Sequence, residues 1–342
     1  MAVTIKDIAK KVGVSPSTVS RVINGNAVIS EETKKRIVSV MEELDYHPNS
    51  LARNLANGNA YAVGLVIDAQ DEHTFSNAFF NRSVYAIETV AQNHGYNLLI
   101  TNDRDTAGTS AVEKLVLEKK VDGIILPTSS VTVKLVKLLK DNNFPFVVLG
   151  EPRIDGKDVS WVDINNAMGS DIAVKHLKEN GYKRVSILVE NRKTVFARNR
   201  IEGYVKSVKT YGLAYSEEYI VDCGTEMEKI SSIIKDMLAK DNPPDAFLCS
   251  NNMIAYQVLK ELKSQNISVP GEIGLVTFDN YPIAEYMDPP LTVVDVDTFS
   301  LGEQAASTLL NKIRRVEQGN QQIAISPSLI ERDSSKRERH GF

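Results

Sequence analysis

Residues 4–24, TIKDIAKKVGVSPSTVSRVIN, decide how the N-terminal part of this chain folds. The stretch predicts two short helices joined by a tight turn. Thr4 can cap the first helix, and Asp7 follows three residues later, as in a capping box. Ser15 can cap the second helix, and Pro16 falls at its first position, where a missing N–H removes no hydrogen bond. Each helix therefore has its own start signal.

The second predicted helix has one apolar face and one polar face. Its polar face carries Ser17, Ser20, Arg21 and Asn24, which fall at i, i+3, i+4 and i+7. A short polar helix that carries an arginine and rests on a first helix is the arrangement with which a helix-turn-helix reads a major groove. From these residues alone, any other surface helical hairpin is an alternative.

Length and charge indicate several domains with different surfaces. A chain of 342 residues is too long for one domain of ordinary size, so two or three are expected. The net charge of −4 is unevenly distributed: residues 1–60 carry eight Lys/Arg and six Asp/Glu, and the remainder carries 32 and 38. The basic end coincides with the predicted helix-turn-helix, which favours a surface that faces phosphates.

Targeting and redox features of the sequence favour the cytoplasm. The N-terminus runs into charged residues without the apolar core of a signal peptide, and no apolar run approaches the ~20 residues of a membrane span. Of the two cysteines, Cys223 and Cys249, the second ends an apolar run that predicts a buried strand. We therefore expect a reduced cytoplasmic protein without a membrane partner, a metal site or a cofactor.

A third helix and a short linker follow the first two helices. Ser30 can cap a helix that runs to about Leu44, which completes a headpiece of about 45 residues. Residues 49–58, NSLARNLANG, begin with Asn49 as a cap but carry few apolar side chains, so they could hardly form a stable helix alone. We interpret this segment as a hinge that becomes ordered when something holds it, with a plain flexible linker as the alternative.

From residue 61 onward, short apolar runs alternate with amphipathic helical segments. The runs form two sets, 62–67, 96–100, 122–126 and 146–149, and then 185–190, 219–221, 245–250 and 273–278. This alternation is typical of βαβ units and predicts parallel sheets flanked by helices. The predicted fold class is thus an all-α headpiece followed by an α/β core of two lobes with a cleft between them.

Sequence motifs for catalysis and nucleotide binding do not occur. No strand-to-helix turn carries G-x-G-x-x-G, and there is no P-loop and no G-x-S-x-G elbow. The five histidines are scattered, and none is paired at metal or catalytic spacing. An enzymatic function therefore has no residues to support it.

Polar side chains instead follow three predicted strands of the second lobe, at the carboxyl ends where ligands bind in open α/β sheets. They are Arg198 and Arg200, then Asn251-Asn252, then Asp279-Asn280. Each alone is most simply a helix cap or a tight turn. Together, their carboxylate and amide oxygens can accept hydrogen bonds from hydroxyls while a guanidinium donates, which matches a neutral polyol.

Several long motifs resemble the lactose/galactose repressor (LacI/GalR) family of bacterial transcription regulators. They are VTIKDIAKKVGVSPSTVSRVIN followed by ISEETKKRI, LDYHPNSLARNLA, FARNRIEGY, SNNMIAYQVLKEL, VP–IGLVTFDN and PPLTVVDVD. The resemblance covers almost the whole chain. It implies a helix-turn-helix headpiece, a hinge helix and a two-lobed core like that of periplasmic sugar-binding proteins, crossed three times between lobes.

The resemblance also implies domain boundaries. It places the headpiece at residues 1–47, the hinge at 48–59 and a charged tail at 334–342. The first core lobe is expected to comprise residues 60–161 and 292–320, and the second lobe residues 162–291 and 321–333. The three crossings are expected near 160–164, 288–292 and 319–324.

Roles in DNA binding carry over to the headpiece and hinge. Pro16, Ser17 and Arg21 occupy the base-reading positions, and because proline can offer only apolar contact, Ser17 and Arg21 should carry most of the hydrogen-bonded readout. Leu55 occupies the hinge position whose side chain wedges between base pairs in the minor groove. The remaining implied contacts, which position the protein rather than specify sequence, are Thr4, Ser15, Thr18, Ser20, Asn24 and Asn49.

In the core, the resemblance implies a site for a small carbohydrate effector formed by Phe79, Arg200, Asn251 and Asp279. Phe79 lies in NAFF (77–80), which resembles the N-P-F-[FY] segment on the first lobe's side of the cleft. Two departures from the family pattern are Ala78 in place of proline and Asn252 in place of aspartate. Neither departure removes the pocket, but both weaken the inference from the family pattern to one particular effector.

The core motifs EHTFSNAFFNRSVYAIE and FDNYPIAEYMDPPLTVVDVD look most similar to maltose and maltodextrin operon regulators of Gram-positive bacteria. The resemblance implies a repressor of a carbohydrate-utilisation operon that binds pseudo-palindromic double-stranded operator DNA as a homodimer. The tail has no leucine heptad, so no tetramer-forming helix is expected. The alternatives are a catabolite-control-type regulator with a phosphocarrier protein as corepressor and a transport-type sugar-binding protein, which the headpiece opposes.

Overall fold

The computed structural model of the protein describes residues 3–23, 29–47, 58–68, 78–103, 105–106, 109–153, 158–316 and 319–337. The chain divides into two compact units, Met1–Ala60 and Tyr61–Phe342. The predicted hinge lies outside the described residues up to position 57, as do the predicted DNA contacts Asn24, Asn49 and Leu55. No helix in the described ranges is long and apolar enough to span a bilayer.

Three helices form the N-terminal unit: α1 (Ile5–Val12), α2 (Pro16–Ile23) and α3 (Glu31–Glu43). The predicted Thr4–Asp7 cap of α1 is present, since the Thr4 N–H and hydroxyl donate to Asp7 Oδ2 at 2.9 and 2.6 Å. Ser15 Oγ accepts the Thr18 N–H at 3.1 Å, which caps α2 as predicted. Gly13 ends α1 with a φ of +79°, a left-handed backbone that favours glycine.

A small apolar core holds these helices together. Its buried members are Ile8, Ala9, Val12, Val19 and Ile37. The α2 side chain among them, Val19, is completely buried. Side chains about half a turn apart on a helix point in opposite directions. The side of α2 opposite Val19 therefore faces away from this core.

The first lobe of the second unit is built on a six-stranded parallel sheet with the order β13-β7-β6-β5-β1-β2. Its strands are β1 (Ala62–Ile67), β2 (Asn97–Asn102), β5 (Gly123–Pro127), β6 (Phe146–Leu149), β7 (Trp161–Ile164) and β13 (Gln322–Ile325). Its helices are α4 (Ala78–Asn93), α5 (Ala111–Leu117), α6 (Val133–Asp141) and α11 (Thr298–Ile313), and β3 (Asp105–Thr106) and β4 (Thr109–Ser110) form a hairpin. Apolar clusters lie on both faces, as a parallel sheet requires.

The second lobe has a six-stranded sheet with the order β14-β12-β11-β10-β8-β9, parallel except for β14. Its strands are β8 (Val185–Val189), β9 (Ile220–Asp222), β10 (Ala246–Cys249), β11 (Gly274–Phe278), β12 (Thr292–Asp295) and β14 (Ser328–Ile330). Its helices are α7 (Asn166–Glu179), α8 (Val195–Thr210), α9 (Met227–Leu238) and α10 (Asn252–Ser264). Helices α7 and α8 approach so closely that a side chain at Gly203 would collide with the Ala167 backbone.

The crossings between lobes lie later in the chain than predicted. Strand β7 (161–164) pairs with β6 in the first sheet, β12 (292–295) pairs with β11 in the second, and β13 (322–325) pairs with β7 in the first. The predicted boundaries assigned most of each strand to the other lobe, which is wrong. A short apolar run predicts a buried strand but does not show which sheet the strand joins. The sequence therefore could not show whether the chain crosses between the lobes before or after each of these strands.

The predicted charged tail is also wrong at its beginning. Residues 333–335 form a 3₁₀ turn in which Ser334 and Ser335 are completely buried. Ser334 Oγ accepts the Thr292 N–H at 2.8 Å and donates to the Leu275 carbonyl at 2.6 Å. Serine is small enough to be buried while its hydroxyl serves two strands of the sheet. Residues 338–342 lie outside the described part of the tail.

Candidate functional site

The outward side of α2 carries the predicted base-reading residues. Pro16, Ser17 and Arg21 are all exposed, because Val19 on the opposite side is held in the core of the N-terminal unit. An exposed guanidinium on a short helix can donate two hydrogen bonds to a guanine edge, and a serine hydroxyl can bond to several bases. The structure therefore leaves these three side chains accessible to a partner.

Hydroxyl groups gather at the N-terminus of α2. Ser15 Oγ lies 2.7 Å from Ser17 Oγ and 2.8 Å from Thr18 Oγ1. Thr4 is exposed at the start of α1, and Ser20 is half-buried. Hydroxyls and unpaired N–H groups at the start of a helix favour contact with phosphate oxygens.

In the second unit, Arg200 is held in one orientation at the carboxyl ends of β8, β10 and β11. It lies in the second turn of α8, and only 6% of its surface is exposed. Its Nε donates to Asn166 Oδ1 at 2.8 Å, and its Nη1 donates to the Ser250 carbonyl. The guanidinium carbon lies 3.8 Å from the centre of the Phe278 ring. These three contacts fix the plane of the guanidinium.

Two carboxylates interact electrostatically with this guanidinium. Burial lowers the pKa of Arg200, and the neighbouring carboxylates of Asp279 and Asp163 oppose that shift. Burial raises the pKa of Asp279, Arg200 lowers it, and Asp295 raises it further. Burial also raises the pKa of Asp163, which lies on the first-lobe strand β7. Two carboxylates, those of Asp279 and Asp163, interact with this one buried cation, and this balance of charge disfavours an anionic ligand.

Two polar atoms beside Arg200 have unused hydrogen-bonding capacity. Asp279 Oδ1 and Ser250 Oγ are buried and have no hydrogen-bond partner among the described residues. Asp279 has a φ of +70°, a left-handed backbone that aspartate adopts more readily than most residues. Because buried polar atoms are normally satisfied, these two mark a place where the hydroxyls of a ligand can bind.

Of the two remaining predicted effector residues, the structure describes the side chain of Asn251 but not that of Phe79. Asn251 is a helix cap, since its Oδ1 accepts the Ile254 N–H at 2.9 Å, and its Nδ2 also donates to Glu190 Oε2 at 3.1 Å. Phe79 belongs to α4, but its side chain lies outside what the structure describes. Arg198, which accompanies Arg200 in the sequence, is exposed.

Asn252 has a structural role that explains its departure from the family pattern. The residue is 1% exposed, and its Nδ2 donates to the Phe278 and Asp279 carbonyls at 3.1 and 2.8 Å. The end of β11 is thereby tied to the start of α10. An ionised aspartate has no N–H or O–H to donate, so an amide is required for this contact.

We expect Asn252→Asp to destabilise the core by about 2 kcal/mol at neutral pH, because a buried carboxylate would face two carbonyl oxygens. Urea denaturation of the full chain measures the change in unfolding free energy. The loss should shrink in acid, where a protonated aspartate can donate one hydrogen bond. Asn266→Asp, at an exposed position, is the matched control and should be near neutral. Equal stability of the two variants at neutral pH would contradict this role.

Two carboxylates that were not among the predicted site residues lie on the first lobe's side of the cleft. Glu151 follows β6, and its N–H donates to Asp163 Oδ2 at 2.9 Å. Asp163 Oδ1 accepts the Ile164 N–H at 2.7 Å. A signal for Glu151 is present in the sequence, since this residue follows the apolar run 146–149 at the carboxyl end of a predicted strand. Asp163 has no such signal, because the segment that forms β7 coincides with the predicted crossing near 160–164.

Comparison with known proteins finds relatives of both units. The pattern of bacterial regulatory proteins, lacI family, matches residues 4–49, and that of a periplasmic binding protein-like domain matches residues 174–335. The HTH-type transcriptional repressor PurR of Glaesserella parasuis serovar 5 is 30% identical, over 96% of this chain and 95% of its own length. The probable maltose operon transcriptional repressor MalR of Staphylococcus aureus is 25% identical over 82% of this chain and 99% of that chain, with a TM-score of 0.71. The lac repressor dimer bound to operator and the anti-inducer ONPF shares the fold, with 22% identity over 98% of this chain and 99% of that chain and a TM-score of 0.79.

Proposed function

Because the chain belongs to the lacI family of bacterial regulatory proteins and is a DNA-binding transcriptional repressor, we propose that it represses a carbohydrate-utilisation operon. Its operator affinity is controlled by a small neutral carbohydrate that binds between the two core lobes. The similarity to a probable maltose operon repressor supports the choice of operon. The chemistry of the cleft supports the choice of effector.

The observation that carries this proposal is the buried, oriented Arg200 beside two unused polar atoms, Asp279 Oδ1 and Ser250 Oγ. A sugar hydroxyl can donate to the carboxylate or to the serine oxygen, and it can accept from the guanidinium. Burial makes each such contact stronger than it is in water. The two carboxylates that interact with Arg200 favour an uncharged sugar over a phosphorylated one.

The proposed mechanism is a change in the angle between the lobes. The effector contacts groups of both lobes, and it can shift the lobe equilibrium only by its differential affinity for the two arrangements. The N-terminal unit precedes β1 of the first lobe. Movement of the first lobes in a homodimer alters the spacing of two headpieces, and therefore their fit to a pseudo-palindromic operator.

A ligand screen tests this function. Thermal shift of the full chain is measured with neutral sugars such as maltose and cellobiose and with sugar phosphates, and operator binding is followed in parallel by fluorescence anisotropy. We expect at least one neutral sugar to raise the melting temperature and to change operator affinity by about fivefold or more. If sugars have no effect and a phosphocarrier protein changes operator affinity, the catabolite-control alternative replaces this proposal.

We further propose that two copies of the chain meet at a group of exposed apolar side chains on the second lobe. Ile283 and Tyr286 are 52% and 82% exposed in the turn after β11, and Met253 is 51% exposed at the start of α10, which follows β10. Strands β10 and β11 are parallel neighbours, so both segments lie at the same edge of the sheet. Grouped apolar side chains of this size are typical of protein interfaces.

We expect Tyr286→Asp to weaken dimerisation by about tenfold or more, because it places a charge in an apolar contact. Sedimentation velocity over a concentration series measures the dimer dissociation constant. Val133→Asp is the control, since Val133 is 75% exposed on α6 of the first lobe. An unchanged dissociation constant for Tyr286→Asp would place the interface elsewhere.

A further inference from the structure

The segment that follows β6 reaches from the first lobe to the second. Glu151 Oε2 accepts a hydrogen bond from Asn199 Nδ2 at 2.6 Å. The Arg153 guanidinium, two residues later, donates to the Lys193 carbonyl. Asn199 lies on α8 and Lys193 lies just before that helix, so both contacts join the same two elements. Side chains that follow β6 therefore connect the two lobes across the cleft.

The first-lobe end of this bridge is firmly anchored. The Gly150 N–H donates to the Val162 carbonyl at 2.8 Å, and the Glu151 N–H donates to Asp163 Oδ2 at 2.9 Å. Gly150 has a φ of +97°, and a side chain there would meet Thr128. Only glycine fits this combination of left-handed backbone and close contact. The backbone that carries Glu151 is thus held against β7.

The second-lobe end is equally well placed, because Asn199 immediately precedes Arg200 on α8. Arg200 is fixed by Asn166 and Ser250, so the turn of helix that carries both residues is held in place. Asn199 is half-buried, whereas its neighbour Arg198 is exposed. An amide that donates to a carboxylate makes a charge-assisted hydrogen bond, which is stronger than one between neutral groups.

We propose that Asn199 is a positioning residue that holds the two halves of the effector site together through Glu151. It sets the lobe angle by giving the closed arrangement a contact that an open arrangement lacks. Arg153 and the Lys193 carbonyl add a second contact of the same kind. The consequence for effector binding rests on the proposed function, whereas the effect on the lobe angle does not.

An exchange of the donor and acceptor roles within the pair provides the test. In the full chain, Asn199→Asp sets a carboxylate against Glu151, so the lobes should separate. Glu151→Gln combined with Asn199→Asp restores a donor and an acceptor with their roles exchanged, so the lobes should close again. Asn199→Ala removes the donor without adding charge and serves if Asn199→Asp fails to fold. Gln304→Glu adds the same charge at an exposed position of α11 and is the control.

The lobe separation is measured by pulsed electron paramagnetic resonance between spin labels at Lys137→Cys and Lys206→Cys, which are exposed positions on α6 and α8. The native cysteines are buried, and labelled chains are diluted with unlabelled ones so that each dimer carries one pair. We expect longer distances in Asn199→Asp and Asn199→Ala, and recovery in the double variant. Operator affinity should change by about fivefold or more in the same single variants and return in the double variant.

Distances that do not change in Asn199→Asp and Asn199→Ala, or a double variant that fails to recover, would overturn the proposal. The result is separable from the proposed function. If the distances shift and recover but no sugar binds any variant, the positioning role holds and the carbohydrate effector is wrong. If a neutral sugar binds but the distances never shift, the effector stands and the positioning role is wrong.

Discussion

Replacing Arg21 by alanine is expected to abolish discrimination between operator and random DNA. Arg21 is exposed on the outward side of α2, where it can donate two hydrogen bonds to a guanine edge. A good contact of this kind contributes about 1–3 kcal/mol of discrimination against the wrong base. A homodimer on a pseudo-palindromic operator makes the contact twice, so the loss applies to both half-sites.

Anisotropy titrations with operator and random duplexes at fixed salt measure this discrimination. Lys35→Ala is the matched control, because Lys35 is an exposed cation on α3 rather than α2. The control should weaken both duplexes alike or not at all, since a lost phosphate contact carries no sequence information. An Arg21→Ala protein that still prefers the operator to the same degree would remove Arg21 from the readout.

Replacing Asp279 by asparagine is expected to weaken effector binding strongly while operator binding persists. The variant keeps the size of the side chain, and asparagine also tolerates the left-handed backbone found at this position. It removes a buried carboxylate whose Oδ1 has no partner among the described residues. Hydrogen bonds to charged groups contribute about 1.5–3 kcal/mol, so effector affinity should fall by about tenfold to a hundredfold.

Isothermal titration of the sugar identified by the screen measures this loss, with Asp236→Asn, exposed on α9, as the control. The pH dependence adds a second readout. Burial raises the pKa of Asp279, and a hydroxyl donates to its ionised form, so effector affinity should fall as the pH is lowered through that raised pKa. Asp279→Asn should lose this dependence. Full effector affinity in the variant would exclude Asp279 from the site.

Local interactions explain why so much of the fold could be predicted. The caps at Thr4 and Ser15 involve residues three positions apart, so their partners are visible in the sequence. The apolar runs and the amphipathic helices can likewise be recognised locally, because each pattern lies within one strand or one helix. Their alternation therefore predicts two parallel sheets. The polar residues at the carboxyl ends of β8, β10 and β11 could be found in the same way.

Long-range pairing explains what could not be predicted. Whether β7, β12 and β13 join the first or the second sheet depends on neighbours far along the chain, and the predicted crossings were placed too early for this reason. Asn252 could be recognised as a departure from the family pattern, but its donation to two carbonyls of the β11 end requires the packed structure. Ser334 is completely buried although it lies in the predicted charged tail, because nothing near it in sequence indicates burial.

By itself the sequence determined that this chain has a helix-turn-helix headpiece, an α/β core of two lobes and a polar cleft without catalytic motifs. Those features follow from spacing, caps and composition, which act over short stretches of chain. Only the tertiary structure decided how Arg200 is oriented, which carboxylates surround it and that Glu151 meets Asn199, 48 residues away. Such contacts arise when separate elements pack together, so no local pattern contains them.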